Sequence, residues 1–246
     1  VQGFTEKKFL KLSSYAQHKK CSEWLRCIIE IPFPLNQSKI EHYEQLCTWM
    51  KFDPLKSYEL EVLADRYHAH VVLSQQSLRE DHFLNVGQQD RLSPIDPYLD
   101  IAVYLDNLRS AHNVGSIIRS AEFFGFNQVI INSNSPNISK QLARSSMGCE
   151  NWIDTQINKP LVSCPRPWIA IETCELAPPL DRYSFPLSFT LVMGNEEYGL
   201  KDEMLRACDE CLRIPQHGRK NSLNVSVAFS ICAYEIRRQL RQKDPT

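Results

Sequence analysis

Residues Leu191–Leu200 read LVMGNEEYGL and residues Ile214–Ala228 read IPQHGRKNSLNVSVA; these two stretches decide the fold class. Each follows an apolar, strand-like run, Phe189–Met193 and Cys211–Ile214, and then turns through Gly, Asn, Ser and charged residues. The second goes on into a long helical pattern, Ser222–Leu240. A Gly directly after a buried strand, as Gly194 is after Met193, lets a ligand pack against the backbone. Glu196 and Glu197 precede a predicted helix over Leu200–Ala207, where carboxylates complement the helix dipole; that duty alone accounts for Glu197. Ser222 suits an N-cap. Asn224 and Ser226 then fall in the first turn, where free N–H groups gather. The predicted buried stripe is Val225, Val227, Phe229, Ile231 and Ala233. Asn224 is left over, because Asn is a poor interior helix residue.

The same texture extends upstream. Ile101–Asp106, Gln128–Ile131 and Trp168–Ile171 read as strands, Asn113–Phe124 as a helix closed by Gly125, and Ile138–Met147 as a helix ended by Gly148. Strands alternating with helices predict an α/β fold, a parallel sheet flanked by helices on both faces. Ligands in such sheets bind beyond the carboxyl ends of the strands. The loops 106–113, 194–199 and 215–222 lie there. Within Asp106–Arg119 (DNLRSAHNVGSIIR), Asn113 stands where an N-cap belongs, and Gly115 permits close approach of another backbone. Taken alone, that segment is either a capped helix with a surface Arg119 or the lip of a pocket.

Residues 1–92 read as a mainly helical N-terminal region. Lys7–Lys20 is basic, and Ser22–Ile31 is apolar and stopped by Pro32 and Pro34. Asp53-Pro54 looks like an N-cap and N1 pair opening a helix towards Tyr67, and His70–Leu73 like a short strand. Ser93-Pro94-Ile95-Asp96-Pro97 is the best linker, so a second region is expected over 98–246. Formal net charge is −1, which argues neither for nor against nucleic acid. The nine cysteines form no disulfide framework and suggest reduced thiols in a cytoplasmic protein. Cys208 and Cys211 have C-x-x-C spacing but no second Cys or His pair, so no metal site is expected. No apolar run of membrane-spanning length occurs, and a soluble protein with no membrane partner is expected.

Taken together and in this order, Asn113–Gly125 (NVGSIIRSAEFFG), Leu191–Leu200 and Ile214–Ala228 resemble the three motifs of the SpoU-type, TrmH-like RNA ribose 2′-O-methyltransferases of the SPOUT α/β-knot class. The resemblance covers roughly residues 98–241. It departs at Ala111, where many relatives carry Pro. It implies a C-terminal trefoil knot, S-adenosylmethionine as methyl donor, tRNA or rRNA as substrate, and a homodimer that often uses the final helix. By the same resemblance Asn113, Arg119, Glu196, Ser222 and Asn224 form the catalytic group. Met193, Gly194, Asn195, Ile214, Pro215, Ser222, Leu223 and Val225 hold the donor. The short stretch Arg144-Ser145-Ser146-Met147-Gly148 is similar to the family's "SxG" segment, with Arg144 a candidate phosphate contact or a solvated surface Arg.

Family proposals make the motif-one Arg the base. A guanidinium stays protonated at ordinary pH, so Arg119 is better read as orienting a phosphate and stabilising a developing alkoxide. Asn113, Ser222 and Asn224 would position the hydroxyl and Arg119. Glu196 would orient Arg119 or the loop, since a carboxylate with an ordinary pKa near ~4.3 is a poor base for a ribose hydroxyl. Competing readings are a non-catalytic RNA-binding relative, a transferase acting on a base atom, and a dehydrogenase. The last lacks a G-x-G-x-x-G after its first strand. Lys7, Lys8, Lys11, Lys19 and Lys20 are either an RNA-recognition face or a solvated charge run.

Overall fold

The computed structural model describes residues 5–29, 37–76, 90–133, 142 and 145–243. The chain forms two compact units, Val1–Asp90 and Arg91–Thr246. Among the described residues no helix is long and apolar enough to cross a membrane.

The first unit contains α1 (Glu6–Phe9), α2 (Ser14–Ile29), α3 (Gln37–Trp49) and α4 (Leu60–Leu73). In α2 the basic and apolar stretches belong to one helix. His18, Cys21, Leu25 and Ile28 recur at helical spacing and are buried, while Lys19 faces out. Two sequence expectations fail here. Asp53-Pro54 does not open α4, whose N-cap is Glu59. The carbonyls of Asp53 and Pro54 instead accept hydrogen bonds from the Arg66 guanidinium, which ties that turn to α4. His70–Leu73 is helix and not strand. Leu63, Tyr67, His70 and Val71 continue one buried helical stripe, and that stripe overrides the local β preference of two valines. Pro32, Pro34 and most of Ile138–Met147 lie outside the described residues.

The second unit is a six-stranded sheet in the order β3-β2-β1-β5-β4-β6, with every pair parallel. The strands are β1 (Leu99–Asp106), β2 (Phe126–Asn132), β3 (Asp154–Ile157), β4 (Trp168–Ile171), β5 (Phe189–Met193) and β6 (Glu210–Leu212). Its helices include α5 (Ala111–Phe123), α6 (Asp202–Ala207) and α7 (Val225–Lys243). Alternation along the strands sorts the core. Ile101, Val103, Leu105, Leu191 and Met193 face α5 and α7. Ala102, Tyr104, Ile130 and Val192 face Leu161, Leu200 and Met204. β1 and β5 are covered on both faces, so IAVYL and FTLVM are continuous apolar runs. Arg237 on α7 pairs with Asp96 at 2.6 Å, which anchors the proline-rich stretch 93–97 to this unit.

The stripe expected on the last helix is corrected. Val225, Val227, Phe229, Ile231 and Ala233 recur every two residues, a strand period that cannot lie on one helix face. Phe229, Cys232, Ala233, Ile236 and Leu240 form the buried face. Val227, Ile231 and Tyr234 face outward.

Candidate functional site

The three motif loops meet at the carboxyl ends of β1, β5 and β6, where a parallel sheet presents its ligands' binding groups. They are joined by hydrogen bonds in series. Asn224 precedes α7 and caps it: its Oδ1 accepts from Ser226 N at 2.9 Å and Val227 N at 3.4 Å. Its Nδ2 donates to Asn113 Oδ1 at 3.1 Å. Asn113 Nδ2 in turn donates to Glu196 Oε1 at 3.0 Å. Glu196 also accepts from Arg109 N and Ser110 N, each at 3.0 Å. One chain of polar contacts thus crosses from motif three through motif one to motif two.

This chain revises three local assignments. The N-cap of α5 is Ser110, whose hydroxyl accepts from Asn113 N at 3.2 Å. Asn113 is the third helical residue, which frees its amide for the other two motifs. The N-cap of α7 is Asn224 and not Ser222, which answers why an Asn stands there. Glu197 serves no helix start, because α6 begins only at Asp202; it pairs with Arg109 at 2.7 Å.

Burial works to raise the Glu196 carboxyl, but the N–H groups of Arg109 and Asn113, its own backbone N–H and that of Ser110 outweigh it. Its pKa is held below the usual carboxylate range. Glu196 is therefore an anion holding the turn 109–110, and not a base. Among the described residues its partners are in the loop 109–110 and Asn113, with no hydrogen bond to Arg119. Six residues along α5 carry Arg119 about 120° around the helix from Asn113, away from Glu196. Arg119 is exposed, and its Nη1 donates to the Met147 thioether at 2.9 Å.

The stretch 145–148 thus packs against α5. Ser145 packs on Gly115, where an added methyl would lie 2.4 Å from Ser145 Cβ, and Ser145 Oγ donates to Ala111 O. Arg144 lies outside the described residues. Gly194 answers to a similar demand. An added methyl there would lie 2.5 Å from Gly199 C and Leu200 N, so the returning loop leaves no room for a side chain at Gly194. Asn195 is buried, donating from Nδ2 to Asn107 O at 2.6 Å and accepting from Glu197 N at 2.8 Å. Met193 lies in the core beneath it.

Ile214 and Val225 pack half-buried on the core, while Leu223 stays 51% exposed on an otherwise polar loop with Pro215 and Ser222 beside it. Apolar surface left among polar backbone suits a flat heterocycle with polar edges. Residues 177–180, which follow β4, are hydrogen-bonded to Arg213. Sequence reasoning missed Glu172 at the end of β4. Its carboxylate accepts from Leu200 N at 3.0 Å and Thr173 N at 2.9 Å and so closes motif two from behind. Cys208 ends α6 and Cys211 lies in β6. Burial, with Cys211 and Asp209 nearby, pushes the Cys208 thiol up to about 11, opposite to what a redox pair needs. Among the described residues no group of His, Cys, Asp and Glu is placed to hold a metal.

Residues 100–234, more than half of the chain, match the SpoU rRNA Methylase family. The chain belongs to that family. A relative described as a putative TrmH family tRNA/rRNA methyltransferase, from Staphylococcus haemolyticus, is 30% identical over 151 residues, 58% of this chain and 61% of that protein. The chain thus spans about three-fifths of the length of the curated relatives it matches. Among solved structures, the SpoU methyltransferase AviRb from Streptomyces viridochromogenes, in complex with the cofactor AdoMet, is 26% identical with a TM-score of 0.52. It covers 62% of this chain and 63% of that one. An AdoMet-bound rRNA methyltransferase from Sinorhizobium meliloti has a TM-score of 0.52 and covers 89% of this chain and 94% of that one. At 20% identity that likeness is one of fold alone.

Proposed function

We propose that this SpoU family member transfers a methyl group from S-adenosylmethionine to a ribose 2′-hydroxyl of tRNA or rRNA. The observation that carries the reading is the series Glu196–Asn113–Asn224, which holds three loops at one end of the sheet. The donor bound to AviRb and the substrate class named for the staphylococcal relative support it. Bound in the loops of motifs two and three, S-adenosylmethionine supplies an electrophilic methyl on its sulfonium. Ile214, Pro215, Leu223 and Val225 would line its adenosyl group, with Gly194, Ser222 and the loop backbone at its polar edges. Met193 and Asn195 would shape the pocket from beneath. Asn113 and Asn224 commit their amides to the inter-loop series and so position the site. Ser222 and Arg119 remain exposed to meet the acceptor.

The test is transfer of labelled methyl to transfer and ribosomal RNA fractions, followed by digestion to nucleosides. Label in a 2′-O-methyl nucleoside is expected. Label in a methylated base would sink the ribose assignment, and neither incorporation nor donor binding would favour a non-catalytic relative.

The reading extends to a homodimer, a knotted C-terminal region and a cytoplasmic location among RNA substrates. Phe123, 79% exposed, and Tyr234, 61% exposed, lie with Val227 and Ile231 on the outer side of α5 and α7. A second copy would cover this apolar patch. Sedimentation should give a dimer and Ile231→Asp a monomer; a wild-type monomer would count against the shared site. In the first unit, Lys7, Lys8, Lys11 and Lys19 are exposed while Lys20 pairs with Glu23. We assign that face to RNA backbone contact.

A further inference from the structure

The sheet face away from α5 and α7 carries a cavity of about 440 Å³ that the methyl-transfer site does not use. Its volume falls within the roughly 300–1,000 Å³ of small-molecule sites. Leu161, Trp168 and Met204 give it apolar walls, and Asp106, Asn132, Lys201 and Glu203 give it polar ones, so its charged lining is two carboxylates and one ammonium. No residue of 213–225 lines it. Asn107 lines it too, and its Nδ2 donates to the Tyr198 hydroxyl of motif two. The cavity therefore opens beside the Glu196 loop.

Asp106 ends β1. Period-two alternation puts it on the same face as Ala102 and Tyr104, and it is only 9% exposed. Its Oδ1 accepts from Asn132 Nδ2 at 2.9 Å, while Oδ2 takes no hydrogen bond among the described residues. Oδ2 is left open to the cavity, where it can accept from a ligand's N–H groups. Lys201 stands on the same cavity wall, exposed and unpaired with any carboxylate among the described residues. A flat ring between apolar walls with donors at its edge towards Asp106 describes a nucleobase, whose phosphate would lie out at the mouth on the Lys201 side, away from Glu203. Guanine presents N1–H and N2–H side by side and suits a carboxylate. Uracil presents one donor between two carbonyls, which a carboxylate repels.

We propose that this cavity takes an unstacked guanine nucleotide of the RNA substrate, next to the nucleotide that is methylated. The proposal rests on the RNA-methylation reading above. Specific RNA recognition works largely on such splayed-out bases, held by stacking and edge hydrogen bonds.

The test titrates GMP and UMP against the intact chain and measures RNA kinetics separately. GMP should bind about tenfold or more tighter than UMP, and Asp106→Asn should erase the difference. Ala207→Trp, at an exposed lining position of α6, should fill the cavity mouth and raise the KM for RNA about fivefold or more while S-adenosylmethionine still binds. Should Asp106→Asn fail to fold, Ala207→Trp still decides. Equal affinity for GMP and UMP would overturn the guanine assignment. GMP binding with an unchanged KM in Ala207→Trp would mean a free nucleotide and overturn the RNA assignment. GMP preference in a chain that methylates no RNA would keep the cavity and sink the reaction reading instead.

Discussion

Arg119→Ala is expected to lower methyl transfer to RNA by about 10²–10³-fold while leaving S-adenosylmethionine binding intact, an effect of the size seen when one oxyanion donor is lost. The argument starts from what Arg119 does not touch. Among the described residues no carboxylate pairs with it, and its hydrogen bond goes to a thioether, a weak acceptor. A guanidinium offers five N–H donors in a fixed fork, so most of this one is available to a phosphate or a developing oxyanion. Asn113, on the same helix, has both ends of its amide committed. The division of labour along α5 is then clear: the first turn builds the site, and the next turn and a half presents the charge.

Arg119→Lys separates two accounts of that charge. A point charge suffices for attraction, whereas bidentate contact with phosphate needs the planar fork. Lys is expected to restore RNA affinity before it restores turnover. Near-normal turnover by Arg119→Ala would remove Arg119 from the reaction altogether.

The contrast between Asn113 and Arg119 also shows what the sequence discloses. Strands β4 and β5 are legible to the residue, because WIAI and FTLVM are apolar runs between turn residues. The loops that follow them are legible because Gly, Asn and Glu crowd together where a strand has just ended. Strand β3 is not legible: DTQI offers one apolar residue and sits half-exposed at the sheet edge. Caps are ambiguous for a different reason. Ser110 and Asn113 are both good caps three residues apart, and only the fold decides which one begins the helix and which one reaches across it. The same ambiguity between Ser222 and Asn224 hid the contact that joins motif three to motif one. Gly194 was readable as a tight spot, and what a side chain there would meet is the backbone of Gly199 and Leu200. Sequence marks where special geometry is needed; the partner in that geometry is set by segments far away along the chain.

The helical unit should lose stability as pH falls from about 6.5 towards 3, by on the order of several kcal/mol in all. His70 is fully buried. Its Nε2 meets the Tyr43 hydroxyl at 2.9 Å and its Nδ1 meets His18 Nδ1 at 2.8 Å. Burial, the neighbouring His18 and the Arg66 guanidinium lower its pKa to about 3. In the unfolded chain His70 takes up a proton near pH 6.5, so between the two values the unfolded state binds more protons than the folded one. Stability therefore rises with pH across that window and is level above it. The ring nitrogens of His70 and His18 share one proton between them; a second proton there has no acceptor to meet. Denaturant titrations of the whole chain, read on Trp24 and Trp49 of this unit, should show the slope. His70→Phe should flatten it while lowering stability at neutral pH by about 1–3 kcal/mol, because Tyr43 and His18 lose their shared partner. Carboxylates elsewhere lose stability in acid as well, which is why the difference between the two chains carries the argument. Parallel pH curves for wild type and His70→Phe would show that the buried pair is silent, and acid sensitivity would then belong to the surface.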